Sequence, residues 1–210
     1  MSVAKNVVWN GSSWVESIPY VWNGSAWAEA HSVVWNGSAW VQIPNWKPSG
    51  RYPPVALTSN MGPPPYQCAY SSQYNTSTYA GYRAFNLVNS DDYAWLSSSS
   101  DVAPWIGLYL GGASLKSIYI TLANRPTGSV NGVIAASIQG SLDAANWYTI
   151  GSISGRDGST PGYQSIHYCT NDDDTYTWVR ILISNWLNKN GGGNQYVAIG
   201  EMNIYGLVST

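Results

Sequence analysis

Apolar residues in the second half of this chain recur with a period of two. Over 105–110 the alternation puts Ile106, Leu108 and Leu110 on one face, and over 117–122 it does the same for Ile118, Ile120 and Leu122. Successive side chains of an extended strand point to opposite sides, so the pattern predicts half-buried β-strands. Runs at 133–139, 147–153, 178–183 and 196–205 continue the series, separated by clusters of Gly, Ser, Thr and Asn. No window carries a sustained 3.6-residue stripe. Short alternating strands between turn clusters predict an all-β sandwich over 55–210.

The first 43 residues follow another rule. Val8-Trp9-Asn10-Gly11-Ser12-Ser13-Trp14 returns as Val21-Trp22-Asn23-Gly24-Ser25-Ala26-Trp27 and as Val34-Trp35-Asn36-Gly37-Ser38-Ala39-Trp40, with a period of 13 residues. Asn-Gly between apolar runs is a strong hairpin signal, because tight hairpin turns need positive φ. A two-residue loop sets Trp9 opposite Ser12, and a four-residue loop sets Trp9 opposite Trp14; both registers give one aromatic face per hairpin. An isolated hairpin is marginal in water, so the segment 1–43 is expected to dock or to oligomerise. Each Asn-Gly-Ser also matches the N-glycosylation pattern, which the turn chemistry alone accounts for. The stretch 44–54, with Pro44, Pro48, Pro53 and Pro54, reads as a semi-rigid linker.

Composition sharpens this picture. Charged residues are only 10% of the 210, while 12 Trp and 16 Tyr stand against a single Phe, Phe85. Trp and Tyr carry a polar handle on an apolar body, which suits interfaces and sugar-stacking surfaces. A net charge of −2 from scattered basic residues offers no footprint for nucleic acid. The longest apolar runs are strand-length, so no membrane insertion is expected. The N-terminus shows no basic region followed by an apolar stretch, so no signal peptide is expected. Cys68 and Cys169 are compatible with one disulfide or with two free thiols.

Several blocks then fall into a recognisable order. Tyr82-Arg83-Ala84-Phe85-Asn86, Trp95-Leu96-Ser97-Ser98, and Pro104-Trp105-Ile106-Gly107-Leu108-Tyr109-Leu110-Gly111 come first. Ile118 to Arg125, Ile138-Gln139-Gly140-Ser141-Leu142-Asp143 to Trp147, Trp178-Val179-Arg180-Ile181, and Ala198 to Gly206 follow. Together they resemble the discoidin domain, or coagulation factor V/VIII C-type domain, over roughly 80–206. The resemblance implies a jelly-roll β-sandwich of the galactose-binding-like type, preceded here by the hairpin repeats. Members of that family bind carbohydrates, lipids or proteins through loops at one end. The repeat itself resembles short repeats of tailed-bacteriophage structural proteins, which are assembled in the host cytoplasm.

A sugar site needs a flat aromatic ring and fixed polar groups on loops held by a rigid scaffold. Three stretches fit: Tyr74, Asn75 and Tyr79; Arg125 with Asn124; and Trp186 with Asn188 before the run at 191–193. Trp186 is the leading stacking candidate, since it ends a strand beside a glycine-rich loop, although covering the sandwich edge is the competing role. Trp95, Trp105, Trp147 and Trp178 lie within the family blocks and read as packing residues. The resemblance also implies a structural Ca²⁺ near the first block and the C-terminal Glu. Here Asn86 stands where the family has Asp, which lowers the charge of the site, and Asp91, Asp92 and Glu201 remain as oxygen donors.

Enzyme chemistry finds little footing. His31 and His167 are the only histidines, no Cys or His pair has zinc spacing, and neither a phosphate loop nor a nucleophile elbow is present. The expectation is therefore a non-enzymatic, virion-associated adhesin binding a surface glycan, such as a tail-fibre, appendage or capsid-fibre protein. It would attach to other virion proteins through the repeats and form a homo-oligomer, with a trimer favoured. The alternatives are a capsid or tail decoration protein with no ligand site, or a bacterial surface lectin.

Overall fold

The alternation predicted over 105–110 and 117–122 is visible in the computed structural model. It describes residues 7–9, 11–16, 20–22, 24–29, 33–35, 40–42, 46–75, 78–89, 94–127, 130–170, 174–188 and 195–209. These fall into two compact units, 1–46 with 209–210, and 47–208.

The first unit holds three antiparallel hairpins: β1 (Val7–Trp9) with β2 (Trp14–Glu16), β3 (Tyr20–Trp22) with β4 (Trp27–Glu29), and β5 (Val33–Trp35) with β6 (Trp40–Gln42). The register pairs Trp9 with Trp14, Trp22 with Trp27 and Trp35 with Trp40. Loops are thus four residues long, and the two-residue alternative is excluded. Gly11 and Gly24 take φ of +100° and +98°, a conformation that L side chains resist. In these two turns the glycine of Asn-Gly therefore supplies a left-handed position.

The second unit is a sandwich. β8 (Gln67–Tyr70), β10 (Trp105–Tyr109), β12 (Val133–Ser141), β13 (Tyr148–Ile153) and β15 (Trp178–Trp186) form a five-stranded sheet in the order β13-β12-β15-β10-β8. β7 (Trp46–Pro48), β11 (Leu115–Ala123), β14 (Gln164–Tyr168) and β17 (Glu201–Ser209) form a four-stranded sheet in the order β14-β11-β17-β7. β9 (Trp95–Leu96) pairs with β16 (Ala198–Ile199), and a 3₁₀ turn spans Gly81–Phe85. Ile106, Leu108, Ile138, Ile181 and Ile183 from one sheet meet Ile118, Ile120, Leu122, Met202 and Ile204 from the other in a closed core, with Phe85 and Trp95 between them. Each full burial of such a side chain contributes about 1.5–3 kcal/mol against the entropy of ordering the chain.

The stretch read as a linker does not hang free. Past β7, Ser49 N donates to Gly206 O, and Tyr52 and Ile204 exchange backbone hydrogen bonds at an antiparallel bridge. Lys116 pairs with Leu207 and Leu115 with Val208 at this same C-terminal end of β17. The chain therefore enters and leaves the sandwich side by side, at the pole opposite the start of β17. Cys68 is buried and Cys169 half-buried, and the two are not joined by a disulfide. Burial raises the Cys68 pKa well above the usual thiol value.

Candidate functional site

Antiparallel pairing gathers the ends of β8, β11, β13 and β15 and the starts of β10, β12, β14 and β17 at one pole. The loops there are anchored rather than loose. Tyr74 N donates to Leu96 O at 2.9 Å, Leu96 N donates to Tyr79 O, and Trp95 Nε1 reaches back to Ser72 O at 3.0 Å. Ser71 and Ser72 both donate to one oxygen of Asp101. A loop tied at so many points presents its side chains in fixed positions, which lowers the ordering cost of binding.

On this platform Tyr74, Tyr79 and Arg125 come together. The Tyr74 ring lies 6.3 Å from Tyr79, edge to face, and 5.3 Å from Tyr196, tilted. The Arg125 guanidinium stands 5.3 Å from the Tyr79 centroid and donates to its hydroxyl at 3.4 Å. Tyr79 is half-buried, Tyr196 and Arg125 are buried, and Tyr74 is 49% exposed. The cluster therefore offers one open ring in contact with two others, one of which carries a fixed cation. Asn75 is exposed next to Tyr74, and Asn188 donates to Asn131 Oδ1 at 2.9 Å at the same pole.

Trp186 does not serve as the stacking ring. It is 3% exposed, packs in the main core and donates Nε1 to Gln195 O at 2.9 Å, so its faces are covered by protein. It supports the segment that carries Tyr196. Tyr196 itself was absorbed into a strand by its apolar neighbours, and nothing in its local pattern marks it as a partner of Tyr74.

A second feature lies at the start of β17. Glu201 is 8% exposed, and neither carboxylate oxygen makes a full hydrogen bond. Burial pushes its pKa from 4.5 up to about 8, held back by the nearby Leu87 amide, Arg51 and the Val88 amide. Asn89 Oδ1 and Asn203 Oδ1 are also buried without partners, and all three side chains line one cavity of about 210 Å³. Converging oxygen donors of this kind fit a hard cation such as Ca²⁺. Asn86 takes a different part: its Oδ1 accepts from Val88 N at 3.0 Å, so it shapes the turn that carries Leu87 and Asn89. Asp91 and Asp92 lie outside the described residues. Among the described residues no three His, Cys, Asp or Glu side chains cluster, so amide and backbone oxygens would complete such a site.

No family model and no curated protein matches the sequence. Solved structures do match the sandwich. The C-terminal domain of a chitobiase from Bacteroides fragilis aligns over 74% of this chain and 99% of its own, with 19% identity and a TM-score of 0.55. The CpGH89CBM32-5 module of Clostridium perfringens, in complex with GalNAc-β-1,3-galactose, aligns over 66% and 94%, with 16% identity and a TM-score of 0.53. Chitosan-binding module 1 of a chitosanase/glucanase from Paenibacillus sp. IK-5 aligns over 72% and 97%, with 20% identity and a TM-score of 0.51. At these identities the likeness shows the fold, an all-β sandwich of the galactose-binding-like type.

Proposed function

We propose that this chain is a non-enzymatic glycan-binding protein whose site is the loop-end cluster of Tyr74, Tyr79, Tyr196 and Arg125. The observation that carries the reading is the open Tyr74 ring, fixed by its backbone bond to Leu96 and in contact with two further rings. A pyranose C–H face stacks on such a ring, while Asn75 and Asn188 supply polar groups at the margin. That similar sandwiches include carbohydrate-binding modules supports the same reading.

The wider setting belongs to the proposal too. The hairpin repeats attach the sandwich to other virion proteins and assemble it into a homo-oligomer, a trimer, so that weak single sites gain avidity on a bacterial surface glycan. Ca²⁺ at Glu201 and Asn89 stiffens the loop pole without touching the sugar.

The test is a glycan array probed with the full chain and with Tyr74→Ala. Tyr74 is half in solvent, so its loss leaves folding intact. The reading expects binding to a defined glycan set, reduced about tenfold or more in the variant. Binding to no glycan, or binding that ignores the substitution, would overturn it.

A further inference from the structure

The outer face of the five-stranded sheet carries a cation that its own fold leaves uncompensated. Arg180 projects from β15 opposite Gly107 of β10 and Gln139 of β12. Its guanidinium carbon lies 4.0 Å from the Trp147 ring centroid and 5.1 Å from that of Trp105, so an indole stands on each side. Nε donates to Gln139 Oε1 at 2.8 Å. Three contacts thus fix the group in position.

What the contacts leave over is specific. A guanidinium has five N–H donors, and Gln139 takes one. Among the described residues no carboxylate lies within ion-pair reach of Arg180, and the side chain is half-buried. Partial burial between the rings lowers the Arg180 pKa, as befits a cation without a counter-charge. The surroundings are aromatic: Trp105 and Trp147 are half-exposed, and Trp178 and Tyr109, with centroids 5.0 Å apart, continue the face along the next row. Gly107 is required between these rows, because a Cβ there would lie 2.6 Å from the Arg180 Cβ.

A pre-oriented N–H fork between two indole rings matches a planar carboxylate borne on a saturated ring. The carboxylate takes the fork in bidentate fashion, and the C–H groups of the ring meet the indoles. We infer that this sheet face is a second binding site, separate from the loop-end cluster, for a carboxylate-bearing sugar such as the uronic acid of an acidic polysaccharide. The surface lies on regular strands rather than on loops, so it is rigid before the ligand arrives.

The test is a titration of the full chain with oligogalacturonate, followed by the indole N–H resonances of Trp105 and Trp147. Both shift saturably, and binding weakens as salt rises. The methyl-esterified oligomer leaves the signals in place. Arg180→Lys keeps the charge but loses the fork, and weakens binding about tenfold or more, whereas Tyr74→Ala has no effect on it. Indole signals that stay still at millimolar acid ligand would overturn the inference, as would equal shifts with the ester. A concentration-dependent mass increase abolished by Arg180→Lys would assign the face to a second copy of the chain and overturn it also. Loss of glycan binding at Tyr74 leaves this site untouched, so the two readings fail separately.

Discussion

Arg156 Nη1 donates to Asn124 Oδ1, joining the loop after β13 to the end of β11. The same guanidinium donates to Val133 O, Leu122 O and Tyr163 O, and its Nε reaches Ser165 Oγ at 2.7 Å. Burial drives its pKa down to about 10, countered by Tyr163 and Asp157. Asn124 in turn donates to Asp157 O and Thr160 O. One side chain thus satisfies backbone oxygens from three segments at the pole that carries the candidate glycan site.

Arg156→Ala should therefore cost at least about 3 kcal/mol, because several carbonyls lose their donor inside the protein. Arg156→Lys should recover only part of that, since a point-like ammonium cannot reach so many acceptors at once. Urea unfolding of the two variants gives the comparison. A loss below 1 kcal/mol for the alanine variant would contradict this account.

Trp186→Ala should behave as a core truncation, losing about 3–5 kcal/mol of stability. Trp186→Phe should retain most of the packing and lose the bond to Gln195. Glycan affinity of the phenylalanine variant, measured by calorimetry on folded protein, should stay within about threefold of the parent. A selective loss of affinity at unchanged stability would restore Trp186 as a contact residue.

Glu201 makes a signed prediction for pH. Its folded pKa of about 8 exceeds its ordinary 4.5, so the folded protein holds a proton that the unfolded chain has shed. Stability from this group is full below 4.5 and is lost as pH rises through about 8. His167 acts with the opposite slope on the acid side, because burial and then Arg156 lower its pKa from 6.5. The window from about 6.5 to 8 therefore isolates Glu201. With a chelator present, the melting temperature should fall across that window; with millimolar Ca²⁺ the fall should shrink or reverse, as metal replaces the proton. Glu201→Gln should flatten both profiles. A calcium-independent profile would exclude the cation.

Deletion of 1–43 should leave a folded sandwich that elutes as a monomer, while the full chain elutes as an oligomer. Light scattering decides it. Equal masses for the two proteins would remove the assembly role from the hairpins.

Much of the sandwich was legible because β10, β11, β12 and β15 bury alternate residues, the situation in which period two is clearest. β14 was not, and the reason is physical. Its larger apolar side chains, Ile166 and Tyr168, face solvent at 55% and 68% exposure, while Ser165 and His167 point inward toward Arg156. The binary pattern there runs backwards. Arg156 escaped notice for a related reason: most of its partners are backbone oxygens, which leave no residue-type signature. Loop chemistry singled out Tyr74, Tyr79 and Arg125, which lie together in the fold, but a strand-end tryptophan beside glycines can turn inward or outward, and Trp186 turned inward.

Because residues 48 and 208 leave the sandwich from neighbouring strands at the pole away from Tyr74, that pole works as a handle. A dye, bead or sensor chip linked past the last strand would hold the domain by its base and turn its tyrosines toward the medium. The same arrangement lets the whole sandwich be spliced into a surface hairpin of an unrelated carrier, since its two ends already lie a strand's width apart.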